Sequence, residues 1–313
     1  MSRVQGIVIK SSGSVYGVRA MDGSFVDCRV KGNFRLKGIR STNPVAVGDH
    51  VKFDVREDGT AYIVEILERR NYIVRKASNL SKQSHILAAN LDLCFLIVTI
   101  SHPSTATTFI DRFLAAAEAY RVPVVLVFNK VDIYNSDERE ELEYLTALYS
   151  SIGYQCLHTS ATKNVGIEAI KEMMRGKVSL LAGNSGVGKS SIVNAVAPEV
   201  AARVGEISRT HDTGMHTTTY TEMFEFMPDS YIVDTPGVKG FGTYNMEVEE
   251  ISHYFVEFFE LSKDCRYSNC THTHEPGCAV LEALETGRIA PSRYQSYLSM
   301  LEDKDEGKYR ASE

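Results

Sequence analysis

The octapeptide at residues 183–190 has the side chains and the spacing needed to hold phosphate. It reads Gly-Asn-Ser-Gly-Val-Gly-Lys-Ser, which fits the pattern Gly, any four residues, Gly-Lys, then Ser or Thr. The glycines allow a tight loop with inward-pointing N–H groups, and a following helix adds partial positive charge. We expect Lys189 to reach the β- and γ-phosphates and the Ser190 hydroxyl to bind Mg²⁺. The expected nucleotide contacts are Gly183, Asn184, Ser185, Gly186, Val187, Gly188, Lys189, Ser190 and Ser191.

A second candidate site is the tetrapeptide Asn129, Lys130, Val131 and Asp132, which follows an apolar run at residues 122–128. The Asp132 carboxylate can accept hydrogen bonds from the ring N–H and the amine of guanine, which adenine does not present. Asn129 can bond the purine edge and hold the loop, and the stem of Lys130 can lie over the base. An Asp that merely caps a helix is the alternative, but it would not predict the phosphate loop found elsewhere in the chain.

Two shorter motifs gain meaning from their order in the chain. Ser160 and Ala161 follow a predicted strand, where their backbone N–H groups could meet the oxygen of the base. Asp234 begins the sequence Asp-Thr-Pro-Gly, in which we expect Asp234 to hold Mg²⁺ through water and the Gly237 amide to bond the γ-phosphate. A plain turn is the alternative for each motif.

Hydrolysis of a bound nucleotide would need a group that orients the attacking water, and the sequence does not show which residue does so. Val238 stands where Ras-like enzymes carry a glutamine, and valine makes no side-chain hydrogen bond, so we expect slow intrinsic hydrolysis. One hydroxyl of Thr217, Thr218 or Thr219 should bind Mg²⁺, and we prefer Thr218. His216 is a candidate to orient the water, although a surface histidine is the simpler interpretation. The candidate catalytic residues are Lys189, Thr218 and His216.

Three of the six cysteines fall within one short window, as Cys265, Cys270 and Cys278. In a reducing compartment, this clustering favours a metal site over disulfides. With one imidazole, the three thiolates would form a closed tetrahedral site for a structural Zn²⁺. His272 and His274 are the rival imidazoles.

The elements that must position these motifs follow from hydrophobic periodicity and turn signals. Residues 77–244 should form an α/β domain, because buried strands and helices alternate and each motif follows a strand. Its predicted strands lie at residues 90–100, 122–128, 154–157, 177–182, 221–226 and 230–233, and its helices at 108–120, 137–151 with Ser136 as cap, and 190–196. Residues 245–313 should form a mostly helical domain that carries the cysteines, and its amphipathic, aromatic-rich stretch at 248–261 is expected to be core rather than a binding surface.

Residues 1–76 show five short strand signals, at 4–9, 14–20, 24–30, 50–55 and 61–67, which suit a barrel of the OB type. This segment has 14 Lys and Arg against 8 Asp and Glu, so it carries +6 while the remainder carries −12 of the total of −6. The stretch at 29–40 holds five positive charges, no negative charge and Phe34. Cations with an interleaved aromatic ring favour RNA binding over an ordinary solvated loop.

Length and composition are those of a globular protein with two or three domains. No apolar run approaches the roughly 20 residues that a membrane span needs. The N-terminus lacks an apolar signal segment, so we expect a cytoplasmic protein, and we also expect a monomer.

The motif order resembles that of the circularly permuted GTPases, because the guanine-binding motifs precede the phosphate loop rather than follow it. A parallel sheet tolerates this rotation since its original termini can be joined. With a basic barrel in front and a cysteine cluster behind, the chain resembles the RsgA (YjeQ/YloQ) group over essentially its whole length. That resemblance implies a circularly permuted α/β P-loop GTPase domain between an N-terminal OB-type barrel and a C-terminal zinc-binding, mostly helical domain.

The resemblance also implies a function and its cofactors. These are GTP or GDP, Mg²⁺ held by Ser190 and Asp234, and one structural Zn²⁺ on Cys265, Cys270, His272 and Cys278. It implies ribosome-stimulated GTP hydrolysis late in maturation of the small ribosomal subunit, with rRNA as a contact. The alternative is a stand-alone regulatory GTPase that binds another RNA or a protein. A P-loop metabolic kinase is disfavoured, because no acceptor-substrate site is visible and Asp132 selects guanine.

Overall fold

The computed structural model of the 313-residue chain describes residues 3–30, 44–76, 84–202, 221–234 and 246–309. It confirms the predicted architecture, which is a small barrel, an α/β domain and a helical module in chain order. His216, Thr217, Thr218, Thr219, Gly237, Val238 and the basic residues at 31–40 lie outside the described residues. None of the described helices combines the length and hydrophobicity that a membrane-spanning helix needs.

Five strands form the barrel, as the turn signals predicted. They are β1 (Arg3–Ser12), β2 (Val15–Ala20), β3 (Phe25–Val30), β4 (His50–Val55) and β5 (Ala61–Ile66). The pairing order is β1-β2-β3-β5-β4, and β4 pairs back with β1, so the sheet closes on itself. Closure removes the exposed strand edges, and the inward side chains of Val8, Val18, Phe53 and Ile63 are fully buried.

A two-stranded hairpin that the sequence did not predict follows the barrel. Its strands are β6 (Tyr72–Lys76) and β7 (Ser84–Ala89), and they pair antiparallel. The hairpin spans the boundary drawn at residue 76, so the division at residues 76 and 77 stays a prediction, as does the one at 244 and 245.

The central sheet contains strands β8 to β13. They are β8 (Leu93–Val98), β9 (Val124–Phe128), β10 (Gln155–His158), β11 (Val178–Ala182), β12 (Thr221–Met227) and β13 (Ser230–Asp234). Parallel pairing orders five of them as β10-β9-β8-β11-β13, and β12 lies antiparallel beside β13. Helices cover both faces, so the middle strand β8 is buried along its whole length, as its continuous apolar sequence predicted.

Four helices whose two ends both lie within the described residues cover the faces of the central sheet. They are α1 (Thr107–Ala119), α2 (Ser136–Ile152), α3 (Ile167–Met173) and α4 (Lys189–Val196). Helices α1 and α2 pack on one face and α3 and α4 on the other. The prediction that Ser136 caps α2 is wrong, because the capping residue is Asn135. Its side chain accepts from the Glu138 N–H and its own N–H donates to the Glu138 carboxylate, which satisfies two end groups at once.

The helical module consists of a 3₁₀ helix (Val248–Tyr254), α5 (Val256–Ser262), α6 (Ala279–Glu285) and α7 (Pro291–Tyr309). The amphipathic stretch at residues 248–261 is therefore divided between two helical segments. Phe255 takes an extended conformation between the 3₁₀ helix and α5. Its ring is fully buried and packs against Phe258 and Tyr297, so the break between the two helices lies in the aromatic core.

Candidate functional site

Parallel pairing brings the predicted motifs to one edge of the central sheet. Asn129 directly follows β9, Thr159 and Ser160 follow β10, Gly183 follows β11, and Asp234 is the last residue of β13. Because these strands run in the same direction, their carboxyl ends lie side by side. We call this the nucleotide edge. Thr218, His216 and Gly237 lie outside the described residues, so their places at it remain predictions.

A buried hydrogen bond joins the guanine motif to the phosphate loop. The Asn129 side chain is 1% exposed, and its Nδ2 donates to the Val187 carbonyl at 2.9 Å. Its Oδ1 accepts from the Thr159 hydroxyl at 3.0 Å. Asn129 therefore ties together the loops after β9, β10 and β11. Thr159 is a residue that sequence reasoning missed, and its position directly before the Ser160-Ala161 motif was the available signal.

Two glycines permit the close approach of the loops. A Cβ on Gly188 would lie 2.3 Å from Nδ2 of Asn129, and Gly188 also has a φ of +99°. A Cβ on Gly183, where φ is +140°, would lie 2.3 Å from the Ile97 carbonyl oxygen. Any larger residue would push the phosphate loop away from β8 or from Asn129. The pattern glycines at 183 and 188 are thus required by packing within the protein.

The lysine of the guanine motif and the lysine of the phosphate loop both bond to carbonyl groups of that loop. Nζ of Lys189 donates to the Gly183 and Asn184 carbonyls at 2.8 and 2.6 Å. Nζ of Lys130 donates to the Gly186 carbonyl at 2.7 Å and to the carbonyl of His102. Lys130 thereby stretches from the guanine motif across to the phosphate loop. His102 lies in the loop after β8, which the sequence analysis did not assign to the site.

The side chain of Asp132 is exposed to solvent, and its environment favours the ionised carboxylate, which accepts hydrogen bonds. A bond from Ser160 is the main cause that lowers the pKa of its carboxyl group, and the Thr162 hydroxyl donates to it at 3.3 Å. The group is therefore a carboxylate at neutral pH. The backbone of Ser160 pairs with Val165, which fixes the loop that contains half-buried Ala161. An ionised acceptor thus faces solvent beside the phosphate loop.

The remaining nucleotide-contact candidates occupy the loop and the first turn of α4. Asn184 is half-buried, whereas Ser185, Gly186, Ser190 and Ser191 are exposed. Val187 is buried beneath the loop, and Val131 donates its N–H to the Thr159 carbonyl at 3.1 Å. Helix α4 begins at Lys189, so the first N–H groups of the helix point at the nucleotide edge.

A second candidate site lies in the helical module. The ligand atoms of Cys265, Cys270, His272 and Cys278 all lie within 4.8 Å of one another. Nδ1 of His272 is 3.6 Å from the Cys265 sulfur and 3.3 Å from that of Cys278, and these sulfurs are 3.9 Å apart. Tetrahedral zinc bonds imply separations of about 3.8 Å between sulfurs and about 3.5 Å between sulfur and nitrogen. The cluster could therefore bind zinc.

The rival imidazole lies apart from the cluster. His274 Nδ1 lies 2.8 Å from the Thr273 hydroxyl, whereas His272 is buried among the sulfurs. Burial raises the pKa of the Cys270 thiol to about 12. A bound cation is what would hold that sulfur as a thiolate at neutral pH.

Fold and site define a P-loop nucleotide-binding protein whose guanine motif precedes its phosphate loop. The family described as "RsgA GTPase" matches residues 66–244, and the one described as "RsgA N-terminal domain" matches residues 5–63. The chain therefore belongs to the RsgA GTPase family, and it is a GTPase.

Relatives match the chain from end to end. The small ribosomal subunit biogenesis GTPase RsgA 2 of Bacteroides thetaiotaomicron is 62% identical, over 99% of this chain and 100% of the relative. The corresponding protein of Porphyromonas gingivalis is 58% identical, over 98% and 99%. The crystal structure of YjeQ from Thermotoga maritima is similar with a TM-score of 0.77 and 35% identity, over 96% of this chain and 98% of that one. The structure of YloQ, a circularly permuted GTPase, has a TM-score of 0.75 and 28% identity, over 97% and 96%.

Proposed function

We propose that this chain is an assembly factor that binds the small ribosomal subunit late in its maturation and hydrolyses GTP there. Family membership makes it a GTPase, and the relatives matched over their full length carry the small ribosomal subunit in their names. We propose further that it contacts rRNA through the barrel and that it works as a monomer in the cytoplasm.

The observation that carries the nucleotide part is the hydrogen bond from Asn129 to Val187. These residues stand 58 positions apart, in reversed order relative to Ras-like proteins, yet the bond is buried. Asp132 stands three residues after Asn129, in the loop that this bond joins to the phosphate loop. The bond therefore supports a single guanine nucleotide whose base meets Asp132 and whose phosphates meet residues 183–190.

The residues at the nucleotide edge fit the chemistry of GTP hydrolysis. Ser190 and Asp234 are the proposed Mg²⁺ holders, and this cation would neutralise charge on the β- and γ-phosphates. Lys189, now bonded to two loop carbonyls, can exchange them for phosphate oxygens and stabilise the charge that develops on them. We propose Thr218 as a further Mg²⁺ holder and Gly237 as an amide donor to the γ-phosphate. His216 is the proposed group that orients the water.

The cysteine cluster fits a structural zinc ion. Its three sulfurs and one imidazole nitrogen supply four ligands, so a tetrahedral zinc ion would have no open position for a substrate. Tyr294 donates to the carbonyl of His272 and Tyr297 donates to that of Thr271, so the cluster is bonded to α7. We propose that zinc holds this loop against the aromatic core of the helical module.

The barrel presents side chains suited to RNA. Phe25 and Met21 at the β2–β3 hairpin are 55% and 83% exposed, and Arg56 lies over the ring of Tyr62 at 4.5 Å. An exposed ring such as that of Phe25 can stack on an unpaired base, and a cation such as Arg56 can meet a phosphate. These features add to the net charge of +6 on residues 1–76 as support for an rRNA contact.

The test is GTP hydrolysis by the full chain with and without isolated small ribosomal subunits. We expect slow hydrolysis alone and a clear acceleration with small subunits. Large subunits serve as the RNA-rich control, and Lys189→Ala reveals any contaminating GTPase. Equal rates with and without small subunits would contradict the proposal. Acceleration by another RNA or protein instead would favour the stand-alone regulatory GTPase.

A further inference from the structure

Strand β1 of the barrel contributes to two hydrophobic cores at once. Val8 is fully buried within the barrel. The neighbouring residues Ile7 and Ile9 point to the opposite face, where they pack against the core of the central domain. A displacement of the central domain at this contact therefore acts directly on a strand of the barrel.

The same strand extends the central sheet at the nucleotide edge. Lys10 and Ser11 pair with Glu222 and Thr221 of β12, and Glu222 pairs in turn with Asp234 of β13. Nζ of Lys10 lies 3.5 Å from the Glu222 carboxylate. Strand β12 is thus the single strand that separates the barrel from the proposed Mg²⁺ residue Asp234.

An ion pair holds the other end of β12 to the barrel. Arg19 of β2 reaches over to Glu225 of β12, and it donates to the Tyr231 hydroxyl of β13 at 3.2 Å. The side chains of Arg19 and Glu225 are 33% and 32% exposed. Strand β12 is therefore attached to the barrel at both ends, at the nucleotide edge by backbone pairing and at the opposite edge by charge.

A separate contact fixes the barrel near the start of β8. The Ala89 N–H donates to the Val47 carbonyl at 2.8 Å, and Nδ2 of Asn90 donates to the Gly48 carbonyl at 2.9 Å. A Cβ on Gly48 would lie 2.0 Å from the Ala89 carbonyl oxygen. This buried contact leaves no room for sliding. The barrel is fixed near the start of β8 and is also attached to β12. A shift of β12 relative to β8 must therefore move or strain the barrel.

We propose that β12 couples the nucleotide state to the barrel, with Arg19, Glu225 and Tyr231 as positioning residues for this coupling. The inference rests on the proposed function, because it assigns the barrel's ligand to the small ribosomal subunit. GTP and GDP differ at the γ-phosphate, which Asp234 and its neighbours are proposed to contact through Mg²⁺. A shift there passes from β13 to β12 and then to β1. Coupling is reciprocal, so subunit binding must also change the relative affinity for GTP and GDP.

The discriminating variants are Glu225→Gln, which removes the charge from β12, and the milder Tyr231→Phe, which removes one hydroxyl. Neither residue belongs to the proposed nucleotide site. The matched control is Glu65→Gln, which breaks the Lys52–Glu65 pair of 3.0 Å within the barrel. The side chains of that pair are 27% and 45% exposed, which is close to the values for Arg19 and Glu225. The control pair lies on β4 and β5, which are not neighbours of β12 in the sheet.

The experiment measures the dissociation constant of the full chain for isolated small subunits, once with a non-hydrolysable GTP analogue and once with GDP. We expect the wild-type ratio of the two constants to be at least about 5, the lower end of typical allosteric coupling. Glu225→Gln should reduce this ratio by about threefold or more and Tyr231→Phe should reduce it less, whereas Glu65→Gln should keep it. Nucleotide affinity and hydrolysis without subunits should stay unchanged in all three variants, which a general loss of folding would not allow.

The outcomes separate the two proposals. If the wild type neither binds small subunits nor is stimulated by them, the proposed function fails and this inference fails with it. If the wild type is stimulated but Glu225→Gln and Tyr231→Phe keep the wild-type ratio, only the coupling through β12 is overturned. A wild-type ratio of one also overturns it.

Discussion

The contact between the helical module and α1 and the contact between the barrel and β12 are of opposite kinds. Arg293 of the helical module is 1% exposed and donates to Asp111 of α1, which is fully buried, and to Glu257. Burial lowers the pKa of this guanidinium, but the bonds to Glu257 and Asp111 outweigh burial and hold it above its usual range. At β12 the barrel instead uses a short run of backbone pairing and the half-exposed pair of Arg19 and Glu225, while its buried contact lies elsewhere, at Val47 and Gly48.

The difference in burial between these two ion pairs determines which contact can rearrange. A buried ion pair must stay complete, because separating it leaves a charge without water or a partner. When an exposed ion pair separates, water and salt ions solvate the two charges, so the loss of free energy is small. The helical module is therefore fixed to α1, whereas the proposed coupling requires only the half-exposed pair between the barrel and β12 to adjust.

The largest expected effect comes from removing the zinc ion proposed for the helical module. Cys278→Ser, or treatment with a chelator, should unfold this module, since structural zinc can contribute on the order of 10 kcal/mol to a small domain. The near-ultraviolet circular dichroism of Tyr294 and Tyr297 should fall together with the zinc content. Binding of GTP at the central domain should survive. Cys156→Ser outside the cluster is the matched control, and an unchanged spectrum in metal-free protein would contradict the zinc assignment.

Breaking the buried attachment comes next. Arg293→Met should lower the free energy of unfolding by about 3–5 kcal/mol, because Asp111 loses its buried partner. Chemical denaturation measures the change. Arg175→Met removes an exposed pair with Glu172 and should cost less than about 1 kcal/mol. Equal losses in the two variants would remove the contrast between buried and exposed attachments.

The choice of base at Asp132 should be independent of both attachments. Asp132→Asn should weaken GTP binding by at least about tenfold, because the amide presents a donor where guanine needs an acceptor. Binding of xanthosine triphosphate should rise correspondingly. Titration with both nucleotides measures the switch, and Asp137→Asn in α2 is a control carboxylate outside the loop. A preference for GTP as strong as that of the wild type would refute the role of Asp132.

The smallest effect is expected at the barrel contact. Glu225→Gln should change the free energy of unfolding by less than about 1 kcal/mol, since the pair with Arg19 is half-exposed. The difference from the wild type should shrink further as salt is raised, because ions screen exposed charges. A loss as large as that of Arg293→Met would mean that the barrel is attached as rigidly as the helical module.

Sequence reasoning located the motifs and most elements because their signals are local. The phosphate loop, the Asn-Lys-Val-Asp motif and the strands that precede them follow from short patterns. It missed the β6–β7 hairpin, because the two strands are short and give a weak local signal. Tertiary packing of Ile73, Val74 and Ile86 stabilises this hairpin. It also placed the cap of α2 one residue late, because Asn135 and Ser136 are both good capping residues and only the bonds to Glu138 separate them.

What the sequence determined by itself is the chemistry of each short segment: a loop that holds phosphate, a carboxylate suited to guanine, and sulfurs spaced for a metal. Only the tertiary structure decided how these segments meet. It brought Asn129 to Val187, set His272 rather than His274 among the sulfurs, and made β1 a strand of two cores. The physical reason is that residue types and turns act over a few positions, whereas contacts between distant strands depend on how whole faces pack together.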